Sequence, residues 1–281
     1  MSSSIDTAFI KQFEAEVHMA YQRKGSSIRG TVRTINNVTG STAQFHKSGS
    51  GTAVTKSRHG EIATMNATHD VATVTLSDYY AADYVDKLDE LKTNLDERGV
   101  ISNNSAWALG RQTDTQLENA LDSTSNQVGV QYGTSPAANT NMTLAKAKRV
   151  WELFGTNDVP DDGQRYWVVG PSQWSSLLSI DQFSNSDYIP ESETVWSDGR
   201  TAKQWLGFKW YAFSGVTLSS GTIRKTYAYH SSAVGHAIQK DVSTEINYVP
   251  EKAAHLITSL MAMGATLIDA NGVQEVLCDE A

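Results

Sequence analysis

The chain has 281 residues, of which 40% are hydrophobic and 19% charged, with a formal net charge of −8. That length can bury a sizeable core, as one large domain or two modest ones. No apolar run approaches the roughly 18 residues that span a bilayer, and the lone Cys278 excludes an intrachain disulfide and a thiolate metal site. Met1-Ser2-Ser3-Ser4 lacks the basic and apolar regions of a signal peptide, so the expectation is a protein made and kept in a cytosol, with no membrane partner.

Charge is unevenly spread. Residues 1 to 60 hold eight Lys/Arg against three Asp/Glu, a net of +5, and residues 61 to 281 carry −13. Solvated surface charge accounts for this. The sharper expectation is that a basic N-terminal third lies across the acidic body of a neighbouring copy, with the field guiding the encounter. So acidic a chain is a poor duplex binder, because affinity for DNA rests on neutralising phosphates.

In chain order, Ser4 caps a helix with Ile5, Phe9, Phe13, Val17 and Ala20 at helical spacing. Gly25-Ser26-Ser27 ends it, and residues 28–38 read as extended chain. Residues 40–60 are rich in Ser, Thr and Gly, with Gly49-Ser50-Gly51 at the centre. Residues 61–76 alternate as a strand does, and Ala53-Val54-Thr55 offers a poorer partner for a hairpin. Such a hairpin cannot bury enough apolar surface to stand alone. Either it leans on something or the stretch is a disordered loop.

Two helices follow. Tyr80, Tyr84, Leu88, Leu91 and Leu95 place a stripe on the first, which ends at Gly99. The second begins near Asn103, Asn104 and Ser105, and carries Trp107, Gly110, Leu117 and Leu121 on one side, interrupted by Asp114. Thr143 then caps a helix with Leu144, Ala147, Trp151 and Phe154 on one face. Residues 165–169 form a short apolar strand, and Gly170-Pro171 opens a helix with Trp174, Leu177 and Leu178 inward. Residues 181–201 are polar and read as an exposed excursion. Residues 205–213, 226–230, 233–238, 245–249, 253–263, 265–268 and 274–278 read as strands, with Asn271-Gly272 turning between the last two.

No nucleophile elbow, zinc-binding helix or paired-cysteine spacing occurs. The seven histidines are scattered, and His230 and His236, the nearest pair, read as satisfied strand residues rather than ligands. Asp161-Asp162-Gly163 is a turn and not a calcium loop. The expectation is no catalytic residue, no cofactor and no metal.

Asp86-Lys87-Leu88-Asp89-Glu90, Arg98, Ala106-Trp107-Ala108-Leu109-Gly110-Arg111, Asp114, Leu117 and Ala120-Leu121 together resemble the start of the long spine helix of tailed-phage major capsid proteins with the Hong Kong 97-type coat fold. The order of segments on both sides also fits. The resemblance implies an α+β fold with an N-terminal arm at 1–39, an extended hairpin loop at 40–78 and a peripheral domain with the spine helix at 79–127. It further implies an axial domain at 128–240 and a return to the peripheral domain at 241–281, closing as a sheet beneath the spine helix. The implied function is a coat subunit assembling as hexamers and pentamers into an icosahedral head around double-stranded DNA, bound without specificity. The implied partners are scaffolding and portal proteins, and a decoration protein. Assembly would take place in the host cytoplasm.

Candidate contacts between subunits are Arg29, Arg33, Lys47, Lys56 and Arg58 on the basic side, and Asp86, Asp89 and Glu90 on the acidic side. Lys47 and Lys56 lie where the founding member of that family forms a covalent cross-link, but no acceptor or catalytic acid is identifiable, so a non-covalent shell is expected. No long charged segment precedes the arm, so an internal scaffold is not expected. The alternatives are an encapsulin-like compartment enclosing a protein cargo, a cytosolic α/β enzyme, and a tail-tube or decoration protein.

Overall fold

The computed structural model describes residues 22–88, 96–133, 138–184 and 202–281. The chain divides into two compact units. One is drawn from Met1–Gly25, Asp78–Arg111 and Asp241–Met261, the other from Ser26–Ser77, Gln112–Lys240 and Ala262–Ala281. The helix expected over residues 5–20 and most of the excursion at 185–201 lie outside the described residues.

The elements in order are β1 (Arg33–Ile35), β2 (Thr42–Ser48), β3 (His69–Thr75), β4 (Ser77–Asp86), α1 (Glu97–Asp122), β5 (Gln127–Val128), α2 (Leu144–Thr156), β6 (Arg165–Val169), α3 (Pro171–Leu178) and α4 (Asp181–Ser184). There follow β7 (Ala202–Trp205), β8 (Phe208–Ala212), β9 (Leu218–Ser220), β10 (Ile223–His230), β11 (Val234–Val249), β12 (Ala254–Leu267) and β13 (Val273–Asp279). One sheet has the order β1-β11-β12-β4 and another the order β5-β13-β10-β6-β8-β7, with β9 beside β10. Among the described residues, β2 and β3 pair only with each other.

The second unit is built around the larger sheet. β6 and β8 run parallel while β10 pairs antiparallel with both β6 and β13. On one face, Trp167 stacks on Trp210 with centroids 4.1 Å apart, and Phe154 and Phe183 close over them from the helices. On the other, Leu117 and Leu121 of α1 pack with Tyr227, Tyr229 and Val273. Helix starts follow local chemistry: the Thr143 side chain accepts from the Lys146 amide at the head of α2, and Pro171 takes the first position of α3, where its missing N–H costs nothing.

Several expectations are corrected. Ser77–Asp86 is a strand and not the first half of a helix: Tyr79 and Ala81 are half-buried and Val85 fully buried, while Tyr80 and Tyr84 point outward. Leu91 and Leu95 lie outside the described residues. Gly99 does not end a helix. It sits in the first turn of the 26-residue α1, where a glycine costs only about 1 kcal/mol.

The partner of β3 is Thr42–Ser48, in register from Thr42 opposite Thr75 to Ser48 opposite His69, and not Ala53-Val54-Thr55. Residues 205–213 are a hairpin rather than one strand, because Leu206 and Gly207 adopt φ of 50° and 76° and reverse the chain between β7 and β8. Residues 233–238 and 245–249 belong to one strand, β11, and β12 runs unbroken through Gly264-Ala265. Gly264 tolerates no side chain, since a Cβ would lie 2.5 Å from the Thr75 carbonyl oxygen. Trp151 is 53% exposed, whereas Lys146 is fully buried in its place on α2.

Candidate functional site

The hairpin β2–β3 is the element whose polar sequence is least able to sustain it, and its support comes from its own unit. Phe45 and Val74 are buried with Ala43 and Ala237, and Ile35, Val38, Leu76 and Ile268 pack around them. Phe45 lies over Gly235, where a Cβ would approach its ring to 2.6 Å, so only a glycine admits the ring there. Leu76 donates its amide to the Ser41 carbonyl at 2.9 Å, and Gly49 donates to Thr68 at 2.7 Å where the paired strands end. Residues 49–68 beyond that bond contain no helix or strand, and they expose Val54, Ile62 and Met65 by 64, 77 and 59%.

Such exposure has an energetic meaning. Burying apolar surface is worth about 25 cal/mol per Å², so apolar side chains left exposed on a loop gain by being covered. A second group lies in the first unit, where Tyr80, Tyr84, Leu88, Ile246 and Tyr248 are exposed. There Lys252 Nζ stands 3.9 Å from the centroid of the Tyr84 ring, and Tyr248 packs beside His255.

The expected contact residues fall in different places. Arg29 is half-buried in the turn Arg29–Thr31. Arg33 is exposed and sets its guanidinium 5.7 Å from the Phe45 ring centroid. Lys47 pairs with Asp269 at 2.8 Å within the same unit. Lys56 and Arg58 are exposed in the 49–68 loop. Asp86 is exposed at the end of β4, where its carboxylate accepts from the Leu88 amide at 2.7 Å. Asp89 and Glu90 lie outside the described residues. Arg33 thus lies beside Phe45, Lys47 lies near the loop end of the paired strands, and Lys56 and Arg58 share the loop beyond.

Sequence reasoning missed Phe45 and the apolar trio at the tip. The available signal was apolar residues set singly into a Ser/Thr/Gly tract, where a plain loop has no use for them. It noted Asp114 only as an interruption. That residue is 1% exposed and anchors the chain at Ser26-Ser27-Ile28.

Among the described residues no group of three or more His, Cys, Asp or Glu side chains could hold a metal. His230 places Nε2 3.0 Å from Asp162 and Nδ1 2.7 Å from the Ser232 hydroxyl. Nδ1 also accepts from the Ser232 backbone amide, so the imidazole caps the turn Ser231–Ala233. Burial raises the Tyr227 and Tyr229 phenols and pushes the Cys278 thiol up to about 11, which keeps all three neutral and unreactive.

A family model described as phage capsid protein matches residues 5–280. Among curated proteins none matches significantly. Solved structures similar in fold include the capsid of the cyanophage P-SCSP1u, 18% identical with a TM-score of 0.78 over 100% of this chain and 96% of that one. A structure from Mycobacterium phage Che8 is 14% identical with a TM-score of 0.71, covering 95% of this chain and 97% of that one. The capsid of a native GTA particle is 12% identical with a TM-score of 0.73, covering 99% of each.

Proposed function

Because the chain belongs to the phage capsid protein family, we propose that its copies assemble as hexamers and pentamers into an icosahedral head around double-stranded DNA. It is a structural coat subunit of the Hong Kong 97-type fold and not an enzyme. Scaffolding and portal proteins, and a decoration protein, are the further partners of this reading, and the host cytoplasm is where the shell forms.

The observation that supports it is the two-part hairpin. Its base is anchored by Phe45 against Gly235, and its tip carries Val54, Ile62 and Met65 into solvent. A projection fixed at one end and apolar at the other gives each subunit a hold on its neighbour, and many weak contacts repeated by symmetry close a shell while letting misplaced copies leave. The basic Lys56 and Arg58 on the same tip meet the acidic body of the next copy, so encounter is sensitive to salt. DNA is enclosed rather than gripped, since the net charge of −8 opposes tight phosphate binding.

Light scattering with negative-stain imaging of the purified chain, at low and high salt, tests the reading. Shells, rings or capsomers are expected, diminished at high salt. Ile62→Asp combined with Met65→Asp is expected to abolish assembly while leaving the unfolding midpoint of the subunit in place. A stable monomer of 30.7 kDa under every condition refutes the proposal.

A further inference from the structure

Behind α1 the chain forms an open cavity of about 400 Å³, wholly within the second unit. Asn126, Gln127 and Tyr132 border it from the segment after α1, Arg149 from α2, Asn157 from the C-terminal cap of α2, and Asn271 from the turn before β13. Its volume lies within the range of about 300–1,000 Å³ common for small-molecule sites. Nothing in the assembly of a shell calls for it.

The lining narrows what fits. An anion needs uncompensated cations, but Arg149 is already paired with Glu152 at 2.9 Å. An apolar ligand needs apolar walls, and Val128 and Leu153 are the large apolar side chains here. What remains is a concentration of side-chain amides. Asn126 donates its N–H to the Ala270 carbonyl at 2.6 Å, Asn157 to the Asn271 carbonyl at 3.3 Å, and Gln127 to the Glu275 carboxylate at 3.2 Å. With one donor of each amide used inside the protein, these groups are held in place, and each keeps a carbonyl oxygen as acceptor and a second N–H as donor. Tyr132, 40% exposed with the Arg149 guanidinium over its ring 5.9 Å from the centroid, adds an aromatic surface with a hydroxyl at its tip.

Fixed amides beside an exposed aromatic ring match a ligand whose many hydroxyls both donate and accept on an otherwise apolar ring face. We propose that this cavity binds a neutral saccharide, with Tyr132 beneath the sugar ring and the amide oxygens of Asn126, Gln127 and Asn157 accepting from its hydroxyls. The site goes beyond the shell role and does not depend on it.

Saturation-transfer NMR on dissociated subunits and on assembled particles tests this, with triacetylchitotriose and maltotriose as neutral probes and trigalacturonate as the charged one. At least one neutral trimer is expected to bind both forms with a dissociation constant on the order of 1 mM. Tyr132→Ala and Gln127→Leu are each expected to weaken it at least ~10-fold, and Trp151→Ala, on the exposed face of α2 outside the cavity, to leave it unchanged. The proposal is overturned if neither neutral trimer binds the parent chain or if trigalacturonate binds as tightly. It is equally overturned if both cavity variants bind like the parent, or if particles fail to bind where subunits do.

Discussion

Asp114 receives the backbone N–H of Ser27 on both carboxylate oxygens, at 3.0 and 3.1 Å. The same group accepts from the Ile28 amide at 3.3 Å and from the Ser26 hydroxyl. Three consecutive residues are thereby seated on α1 immediately before the extended segment, and Ile28 enters the core beside Leu117 and Leu121. An acid that breaks the apolar stripe of a helix is here the anchor of another segment.

Removing that anchor has a predictable cost. Asp114→Ala strands the buried Ile28 amide, worth about 1–3 kcal/mol when left unpaired, and removes the partner of the part-buried Ser26 and Ser27 donors. Urea unfolding of the unassembled subunit should show a loss of at least about 2 kcal/mol. Asp114→Asn, which keeps one acceptor oxygen, should lose less. Equal losses in the two variants would locate the effect elsewhere.

Gly235 and Phe45 make a second testable pair. A methyl group at position 235 would sit 2.6 Å from the Phe45 ring, and overpacking of this kind costs about 1–3 kcal/mol. Gly235→Ala should therefore speed amide exchange across β2 and β3. Phe45→Leu should relieve part of the clash, so the double variant should be less destabilised than the sum of the singles.

Lys146 is fully buried and gives its ammonium to the carbonyl oxygens of Thr140, Asn141 and Leu277 at 2.6, 3.0 and 2.9 Å. Burial lowers its pKa, and the three acceptors hold the charge in place. Lys146→Met keeps the volume but leaves the carbonyls bare. A loss of about 1–3 kcal/mol is expected, with exchange protection falling first around β13. Since the folded chain releases this proton before the unfolded one does, the Lys146 contribution makes stability rise with pH on approaching 10.5 from below.

Cys278 acts with the opposite sign. The folded thiol keeps its proton to about 11, against 9.0 for the unperturbed group. Its stabilising contribution is complete below pH 9.0 and is lost as pH rises toward 11, because the unfolded chain ionises first. The stability difference between the parent and Cys278→Ala should shrink across that window and stay constant below it.

Lys47 and Asp269, 34 and 36% exposed, form an ion pair of a kind worth about 0.2–1 kcal/mol. Lys47→Met should change subunit stability by less than about 1 kcal/mol and leave assembly intact. Collapse of assembly in that variant would give Lys47 a role between copies in addition to this pair.

Much of the second unit was legible in the sequence because its signals are local. Thr143 before a helical period, Gly170-Pro171 after an apolar strand, and Asn271-Gly272 before the last strand each act through the backbone of their own neighbours. The larger sheet's strands 165–169, 226–230 and 274–278 were found, while its pairing order was not.

What only the tertiary structure decided is which face of an ambiguous segment is buried, and against what. Tyr80 and Tyr84 lie four residues apart, a spacing that puts both on one side of a helix and equally on one side of a strand. The partner strand β12 selects the strand. A lysine on an amphipathic helix belongs by default in solvent, yet carbonyls brought from residues 140, 141 and 277 make the burial of Lys146 tolerable. Phe45 stood alone in a polar tract until Gly235, 190 positions along the chain, supplied the hollow that holds it. Local propensity and spacing set where elements begin and end. The contacts between residues distant in sequence, which no period records, set which of them carry the fold.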